Sequence, residues 1–159
     1  MKIEKYDNKY IIYLNKDYKK INIKDKINIE NDFRELFLNL RKNYNIKLVG
    51  YYNIYIYENK YYGLVIEIEN EDLEYYDYFD DELDMKITIL ENQTFIYEIL
   101  NDSKEILSKY NIIKNKDKLY VKLDNDISNI EMGFLLENSK IIYKDAVDII
   151  KGAKKIEIR

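Results

Sequence analysis

The first third of the chain alternates hydrophobic and polar residues and then changes to a helical spacing. Ile3 and residues 10–14 have the alternation and the Ile and Tyr content typical of strands. Isoleucines at every second position within residues 15–29 fit either a short edge strand or an ordered loop. From Phe33 to Tyr44 apolar residues recur at i, i+3, i+4, i+7 and i+11, which predicts an amphipathic helix with Asn31 as its cap.

Alternation returns in the middle of the chain, where residues 46–69 predict a long hairpin that turns at residues 58–60. Two further strands, at residues 85–90 and 94–100, are expected on either side of a turn at 91–93. The remaining pattern predicts a helix after Asp102 or Ser103, a hairpin over 112–123, helices near 127–137 and 145–153, and short strands at 141–143 and 155–158.

These elements predict an α+β fold of antiparallel β-hairpins with helices packed on one face. The chain would form one compact domain or two small ferredoxin-like halves. We predict an amino-terminal α+β half over residues 1–69, an acidic connecting segment over 70–84 and a carboxy-terminal α+β half over 85–159. Both halves open with Met-Lys-Ile and each is predicted to run hairpin, helix, hairpin, so an internal duplication is a hypothesis.

Composition excludes several kinds of chemistry. The 159 residues include no His and no Cys, which excludes disulfides, thiolate nucleophiles, cysteine-ligated metals and the Ser-His-Asp arrangement. The four glycines are isolated, so no phosphate-binding Gly-rich loop exists, and the carboxylates do not follow the EF-hand pattern. We therefore predict that the protein is not an enzyme and that it uses no cofactor and no metal.

The most unusual feature is a run of eighteen residues, 67–84, with ten carboxylates, four aromatic rings and no basic side chain. It has three interpretations: a solvated loop, a docking strip for a basic protein surface, or a mimic of nucleic-acid phosphates. In the docking interpretation the rings anchor the partner and the carboxylates speed encounter. The predicted partner-binding residues are Glu71, Asp72, Glu74, Tyr75, Tyr76, Asp77, Tyr78, Phe79, Asp80, Asp81, Glu82 and Asp84.

Two further features of the sequence bear on the kind of partner and on the cellular compartment. The lysine-rich stretch 16–26 is interrupted by Asp17 and Asp25, and the isoelectric point is about 5.1, so direct nucleic-acid binding is not expected. The first ten residues have no long apolar region, and no apolar window approaches 18 residues. We predict a cytoplasmic protein that binds a protein partner with a basic surface and has no membrane contact.

Three stretches resemble the MecA-type adaptor proteins, which link substrate proteins to the unfoldase of the Clp protease. They are the opening MKIEK, residues 32–70 (DFRELFLNLRKNYNIKLVGYYNIYIYENKYYGLVIEIEN), and the carboxy-terminal pieces TFIYEILNDSKEILSKY, DKLYVKL and FLLENSKIIYKDAVDIIKGAKKI. The resemblance implies a substrate-binding amino-terminal domain, an acidic linker near residues 69–84 and an unfoldase-binding carboxy-terminal domain. The chain departs from the family at 150–154, where IKGAK replaces its E-Y-G-K.

Overall fold

The computed structural model describes residues 1–71, 83–101 and 103–156, which form an α+β fold with two five-stranded sheets. The chain divides into two compact units. Unit 1 comprises Met1–Glu58 and Gly63–Glu91, and unit 2 comprises Asn59–Tyr62 and Asn92–Arg159. The boundaries that we predicted at residues 69 and 85 stay a prediction. None of the helices in the described ranges is both long and apolar enough to cross a membrane.

Unit 1 is a mixed sheet with one long helix. Its elements are β1 (Lys2–Lys5), β2 (Lys9–Asn15), α1 (Ile29–Tyr44), β3 (Gly50–Asn59), β4 (Gly63–Asn70) and β5 (Leu83–Leu90). The strand order is β1-β2-β4-β3-β5. β2 pairs antiparallel with β1 and with β4, whereas β5 pairs parallel with β3.

The core of unit 1 lies between α1 and one face of this sheet. Period-two residues of β3 and β4 and period-3.6 residues of α1 form one buried cluster, because each spacing places its apolar side chains on a single face. Burial of each such side chain stabilises the fold by roughly 1.5–3 kcal/mol. The helix residues are Phe33, Leu36, Phe37 and Leu40, and the strand residues include Ile54, Ile56, Ile66 and Ile68.

The predicted helix is confirmed, but its predicted start is wrong. The helix begins at Ile29 and its N-cap is Asn28, so Asn31 lies inside the first turn. In the preceding loop Ile21 and Ile23 are buried in the core, while Ile27 is 90% exposed. This stretch contains no strand, and the ordered-loop alternative is therefore the correct one.

Unit 2 is an antiparallel sheet with three shorter helices in the described part of the chain. Its elements are β6 (Ile96–Ile99), α2 (Lys104–Lys109), β7 (Asn111–Asn115), β8 (Lys118–Lys122), α3 (Asn129–Glu137), β9 (Ser139–Ile142), α4 (Ala146–Lys151) and β10 (Lys154–Ile156). The strand order is β10-β7-β8-β6-β9. From β6 to β9 the elements run β-α-β-β-α-β with the order β9-β6-β8-β7, which is the ferredoxin-like arrangement. The prediction of two ferredoxin-like halves is therefore confirmed for this unit, whereas the described part of unit 1, a mixed sheet with one helix, has a different arrangement.

Both faces of the second sheet carry apolar side chains. One row crosses four strands through residues that are at most 7% exposed, namely Ile112, Val121, Tyr97 and Ile141. On the other face Ile96, Ile113 and Tyr120 pack with Ala146 of α4. The sheet is therefore a two-sided core element rather than a layer with one polar face.

One prediction about strand pairing is wrong. Residues 85–90 do not form a hairpin with residues 94–100, because β5 pairs with β3 in the first sheet and β6 belongs to the second. The two units also have different strand orders, so the duplication hypothesis finds no counterpart in their topology. The hairpin prediction relied on neighbourhood in sequence, whereas the partner of a strand is chosen by non-local packing.

Candidate protein-interaction site

Most of the predicted partner-binding residues lie outside the described residues. These are Asp72, Glu74, Tyr75, Tyr76, Asp77, Tyr78, Phe79, Asp80, Asp81 and Glu82. Glu71 and Asp84, which bracket them, are described. The candidate site is therefore built from the two ends of the predicted partner-binding segment, residues 71–84, and from the strands that hold them.

Both ends are held beside Tyr51 at the start of β3. The Glu71 amide donates to the Tyr51 carbonyl at 2.9 Å, and Asp84 is the register partner of Tyr51 in the parallel β3–β5 pair. The Asn53 side-chain amide donates to Glu71 Oε2 at 2.9 Å. Because β4 and β5 flank β3 in the sheet, the two ends are about 10 Å apart, two strand spacings. The predicted partner-binding segment 71–84 thus starts and ends at one end of the first sheet.

The guanidinium of Arg34 lies near Asp84, beside the Leu83 carbonyl. Arg34 of α1 donates from Nη1 to the Leu83 carbonyl at 3.3 Å and from Nη2 to Glu30 Oε1 at 2.8 Å. The Asp84 side chain is exposed and accepts from the Met85 amide at 2.9 Å. Arg34 is thus paired with Glu30 and a carbonyl, and the exposed Asp84 bonds to the backbone of its own strand.

The first acidic residue of the run has a structural role. Glu67 is 3% exposed, lies opposite Ile11 in the β2–β4 pair, and its carboxylate is 3.9 Å from Lys9 Nζ. A buried carboxylate needs such compensation, because desolvation of an unpaired charge is costly. Glu67 therefore belongs to the sheet and not to the surface that a partner would contact.

Tyrosines line the face of β3 opposite α1. Tyr51, Tyr55 and Tyr57 alternate with the core residues Tyr52, Ile54 and Ile56, and all three are half-buried. Lysines cover rings nearby in β1 and β2, with Lys2 Nζ 5.3 Å from the Tyr13 ring centroid and Lys9 Nζ 5.8 Å from that of Tyr6. The tyrosine content of the chain thus has a structural use in unit 1.

On this face of the sheet, the carboxylate of Glu4 in β1 is stabilised by its neighbours. Burial raises the pKa of Glu4, but hydrogen bonds from Tyr6 and Tyr13 and the charge of Lys2 outweigh that effect. The net result is a pKa below the ordinary value. The Tyr6 hydroxyl donates to Glu4 Oε2 at 2.7 Å, and Lys2 Nζ lies 3.5 Å from the other oxygen. This carboxylate is therefore ionised and neutralised locally at neutral pH.

Unit 2 contains a cavity that the sequence did not reveal. It has a volume of about 520 Å³, and its lining includes Asn59, Lys60, Tyr61, Phe95, Lys122 and Asp124. Asn59 organises it: Oδ1 accepts from the amides of Tyr61 and Tyr62, and Nδ2 donates to the Gln93 carbonyl at 2.9 Å. The Tyr61 hydroxyl donates to the Asp124 carbonyl at 2.8 Å. The preference of Asn for turns can be read from the sequence. The bonds from Asn59 to Gln93 and from Tyr61 to Asp124 join residues 34 and 63 positions apart, and no local sequence pattern predicts them.

Phe95, which lines this cavity, packs against further aromatic residues. The ring centroids of Tyr62 and Phe95 are 6.2 Å apart, and those of Phe95 and Tyr143 are 6.4 Å apart. Burial raises the pKa of Tyr62 to about 12, and burial together with Tyr62 raises that of Tyr97 further. Both tyrosines are therefore protonated at neutral pH and act as core residues.

We searched the described residues for a metal site and compared the chain with known proteins. Within the described ranges, no group of three or more Asp and Glu side chains is placed to hold a metal ion. Compared with known protein families, with curated proteins and with solved structures, the chain matches none.

Proposed function

We propose that this chain is a non-enzymatic protein-interaction module that binds a basic protein surface through residues 71–84. The observation that carries the proposal is the sequence of the acidic run, with its carboxylates, four rings and absence of basic side chains. The finer form of the proposal is an adaptor that presents client proteins to a Clp-type unfoldase. That form rests on the resemblance to MecA-type adaptors.

The geometry of the two ends supports this proposal. A hydrogen bond and a strand pairing hold Glu71 and Asp84 next to Tyr51, so both residues that bracket the proposed docking residues have fixed positions. Because the sheet already fixes Glu71 and Asp84, binding does not have to order these two residues, which lowers its entropic cost. Glu67, whose carboxylate lies beside Lys9 inside the sheet, is not one of the proposed docking residues.

Three matched variants test which side chains bind. The acid variant carries Asp80→Asn, Asp81→Asn and Glu82→Gln, and the ring variant carries Tyr75→Ser, Tyr76→Ser and Tyr78→Ser. The control variant removes three exposed carboxylates elsewhere, by Glu35→Gln, Asp117→Asn and Glu137→Gln. Each tagged protein is used to capture partners from a lysate of the encoding organism, and rates are then measured on the purified partner by surface plasmon resonance.

We expect the acid variant to lower the association rate about tenfold, because carboxylates steer encounter with a basic surface. The ring variant should raise the dissociation rate, because tyrosines supply the desolvated anchors. The control variant should bind like the wild type. A partner captured equally by all four proteins would contradict the proposal.

A salt series separates docking from the alternative, an acidic inhibitor that mimics nucleic acid in a basic groove. Binding by ring anchors persists as ionic strength rises, although association slows. A mimic would lose binding steeply with salt, would be displaced by duplex DNA, and would not be weakened in the ring variant. The adaptor role is tested by measuring binding to a purified unfoldase of the Clp type. An adaptor should bind it, and absence of binding would contradict that role.

A further inference from the structure

The cavity of unit 2 has the size of a binding site for a small molecule. Its volume of about 520 Å³ lies within the range of roughly 300–1,000 Å³ that is usual for ligand sites. Every lining residue in the described part of the chain belongs to unit 2, whereas Glu71 and Asp84 belong to unit 1. The cavity is therefore a different site from the proposed docking segment.

The cavity opens where a strand pairing ends. The pairing of β6 with β8 includes Tyr97 and Val121, and β8 ends at the next residue, Lys122. In the same register Phe95 would lie opposite Leu123, but both residues are outside the strands and both line the cavity. The end of the β6–β8 ladder thus leaves a space that the sheet itself does not fill.

Hydrogen bonds hold the wall that the turn before β4 contributes. Asn59 Oδ1 accepts from the Tyr61 amide and Asn59 Nδ2 donates to the Gln93 carbonyl, each at 2.9 Å. The Tyr61 hydroxyl is bonded to the Asp124 carbonyl, and Lys60 Nζ lies 4.9 Å from the centroid of the Tyr61 ring. Because these contacts exist before a ligand enters, little of the wall has to be ordered by binding.

The lining carries more positive than negative charge. Lys60 and Lys122 contribute two ammonium groups, and Asp124 contributes one carboxylate. In the described ranges neither lysine forms an ion pair with a carboxylate. The Asp124 carboxylate instead accepts from the Asn111 side chain at 3.2 Å. Two uncompensated ammonium groups at one cavity favour an anion, because it is attracted by both.

We propose that this cavity binds a small phosphate monoester that also carries hydroxyl groups. A phosphate monoester has a charge of about −1.5 to −2 at pH 7, which matches two ammonium groups better than a single carboxylate does. Lys60 and Lys122 bind the phosphate as point charges. The Asp124 carboxylate and the Thr94 hydroxyl, which also line the cavity, bond to the hydroxyl groups of the ligand.

The same lining disfavours two other classes of ligand. An apolar molecule would remove the side chains of Asn92, Gln93 and Thr94 from water without bonding to them, which is costly. A small cation would be repelled by the surplus of positive charge. The lining therefore selects a ligand that is both polar and anionic.

Titration of the isotope-labelled full-length protein at constant ionic strength, followed by amide NMR shifts, tests the ligand class. The probes are glucose 6-phosphate, glucuronate and glucose, which share a sugar ring and differ in charge. We expect glucose 6-phosphate to bind at least about fivefold more tightly than glucuronate, and glucose to bind most weakly. Inorganic phosphate, the charged group alone, should shift the same amides, with the largest shifts at residues 59–61, 92–95 and 122–124.

Three outcomes of this titration would overturn the proposal. The first is the absence of shifts with both phosphate probes at about 20 mM, a concentration at which even weak binding is detected. The second is equal affinity for glucose 6-phosphate and glucuronate. The third is a set of shifts centred outside the cavity.

Matched lysine variants test which side chains bind the phosphate. Lys60→Met and Lys122→Met each remove one ammonium group and keep most of the aliphatic chain. We expect each to weaken the binding of glucose 6-phosphate about tenfold, because a hydrogen bond to a charged group is stronger than a neutral one. Lys104→Met and Lys151→Met change exposed lysines that do not line the cavity, and these variants should bind like the wild type.

Amide spectra that match the wild type away from the cavity show that each variant is folded. Wild-type affinity in both cavity variants, or an equal loss in the control variants, would contradict the assigned phosphate site. Neither result depends on residues 71–84, so this test and the capture experiment succeed or fail separately.

Discussion

Two buried tyrosines in unit 2 couple the stability of the protein to alkaline pH. Tyr62 is 5% exposed and Tyr97 is 1% exposed, and burial raises the pKa of both above the ordinary value of 10.0. Burial opposes the ionised phenolate because that form loses its hydration. In the unfolded chain the same tyrosines ionise near pH 10, so above that pH the folded state binds more protons than the unfolded state.

We therefore expect full stability below pH 10 and a loss of about 1.4 kcal/mol per pH unit for each of these tyrosines above it, up to the folded pKa. Unfolding in urea at pH 8, 10, 10.5 and 11 measures this slope. The variant with Tyr62→Phe and Tyr97→Phe should lose most of it. At pH 8, Tyr97→Phe alone should cost little stability, because among the described residues the buried Tyr97 hydroxyl has no hydrogen-bond partner. An unchanged slope in the double variant would show that other groups control alkaline unfolding.

At the scale of single elements, the start of α1 distinguishes two sequence signals. The sequence placed Asn31 as a cap because Asn is favoured at that position, yet the helix extends three residues further back to Ile29. Ile29 is buried in the core, so packing starts the helix before Asn31, although Asn31 is the residue that local preference favours as the N-cap. The Asn28 side chain makes no cap bond and instead donates to Asp25.

We expect Asn31→Ala to leave stability unchanged or to raise it by about 0.5 kcal/mol, because Ala has the higher propensity inside a helix. If Asn31 were the cap, the same change would lower stability by about 1 kcal/mol. The free energy of unfolding in urea distinguishes these outcomes by sign. Ile29→Ala is the matched comparison, and it should cost about 2–5 kcal/mol as a core truncation.

The elements that the sequence predicted well are those whose periodicity is sustained. α1 and the β3–β4 pair follow this rule, because a face that must be buried imposes its spacing on ten or more residues. The parallel pairing of β5 with β3 could not be predicted, since either neighbour would bury the same apolar face of β5. In the candidate site, the acidic run is visible in the sequence, but the role of Tyr51 in holding Glu71 and Asp84 depends on strand pairing. The exclusion of Glu67 from that site likewise required its contact with Lys9.

At the scale of the whole molecule, the two units do not correspond to two continuous stretches of chain. Unit 2 includes the four residues Asn59–Tyr62, which are the last residue of β3 and the three-residue turn to β4. Tyr62 packs near Phe95, and Asn59 bonds to the Gln93 carbonyl, so this turn completes the packing at the start of β6. The chain thus returns to unit 1 after contributing one turn to unit 2.

This arrangement predicts that a change at residue 62 destabilises a unit whose strands begin more than thirty residues later. Tyr62→Ala should remove about 3–5 kcal/mol of core packing from unit 2. Hydrogen exchange followed by mass spectrometry should then show faster exchange in β6, β7 and β8, with β1 and β2 less affected, because stability is not uniform across a protein. Leu36→Ala in α1 provides the reverse comparison and should speed exchange first in β2, β3 and β4, since Leu36 belongs to the core of unit 1. Faster exchange in β1 and β2 than in β6 to β8 after Tyr62→Ala would contradict the assignment of residues 59–62 to unit 2.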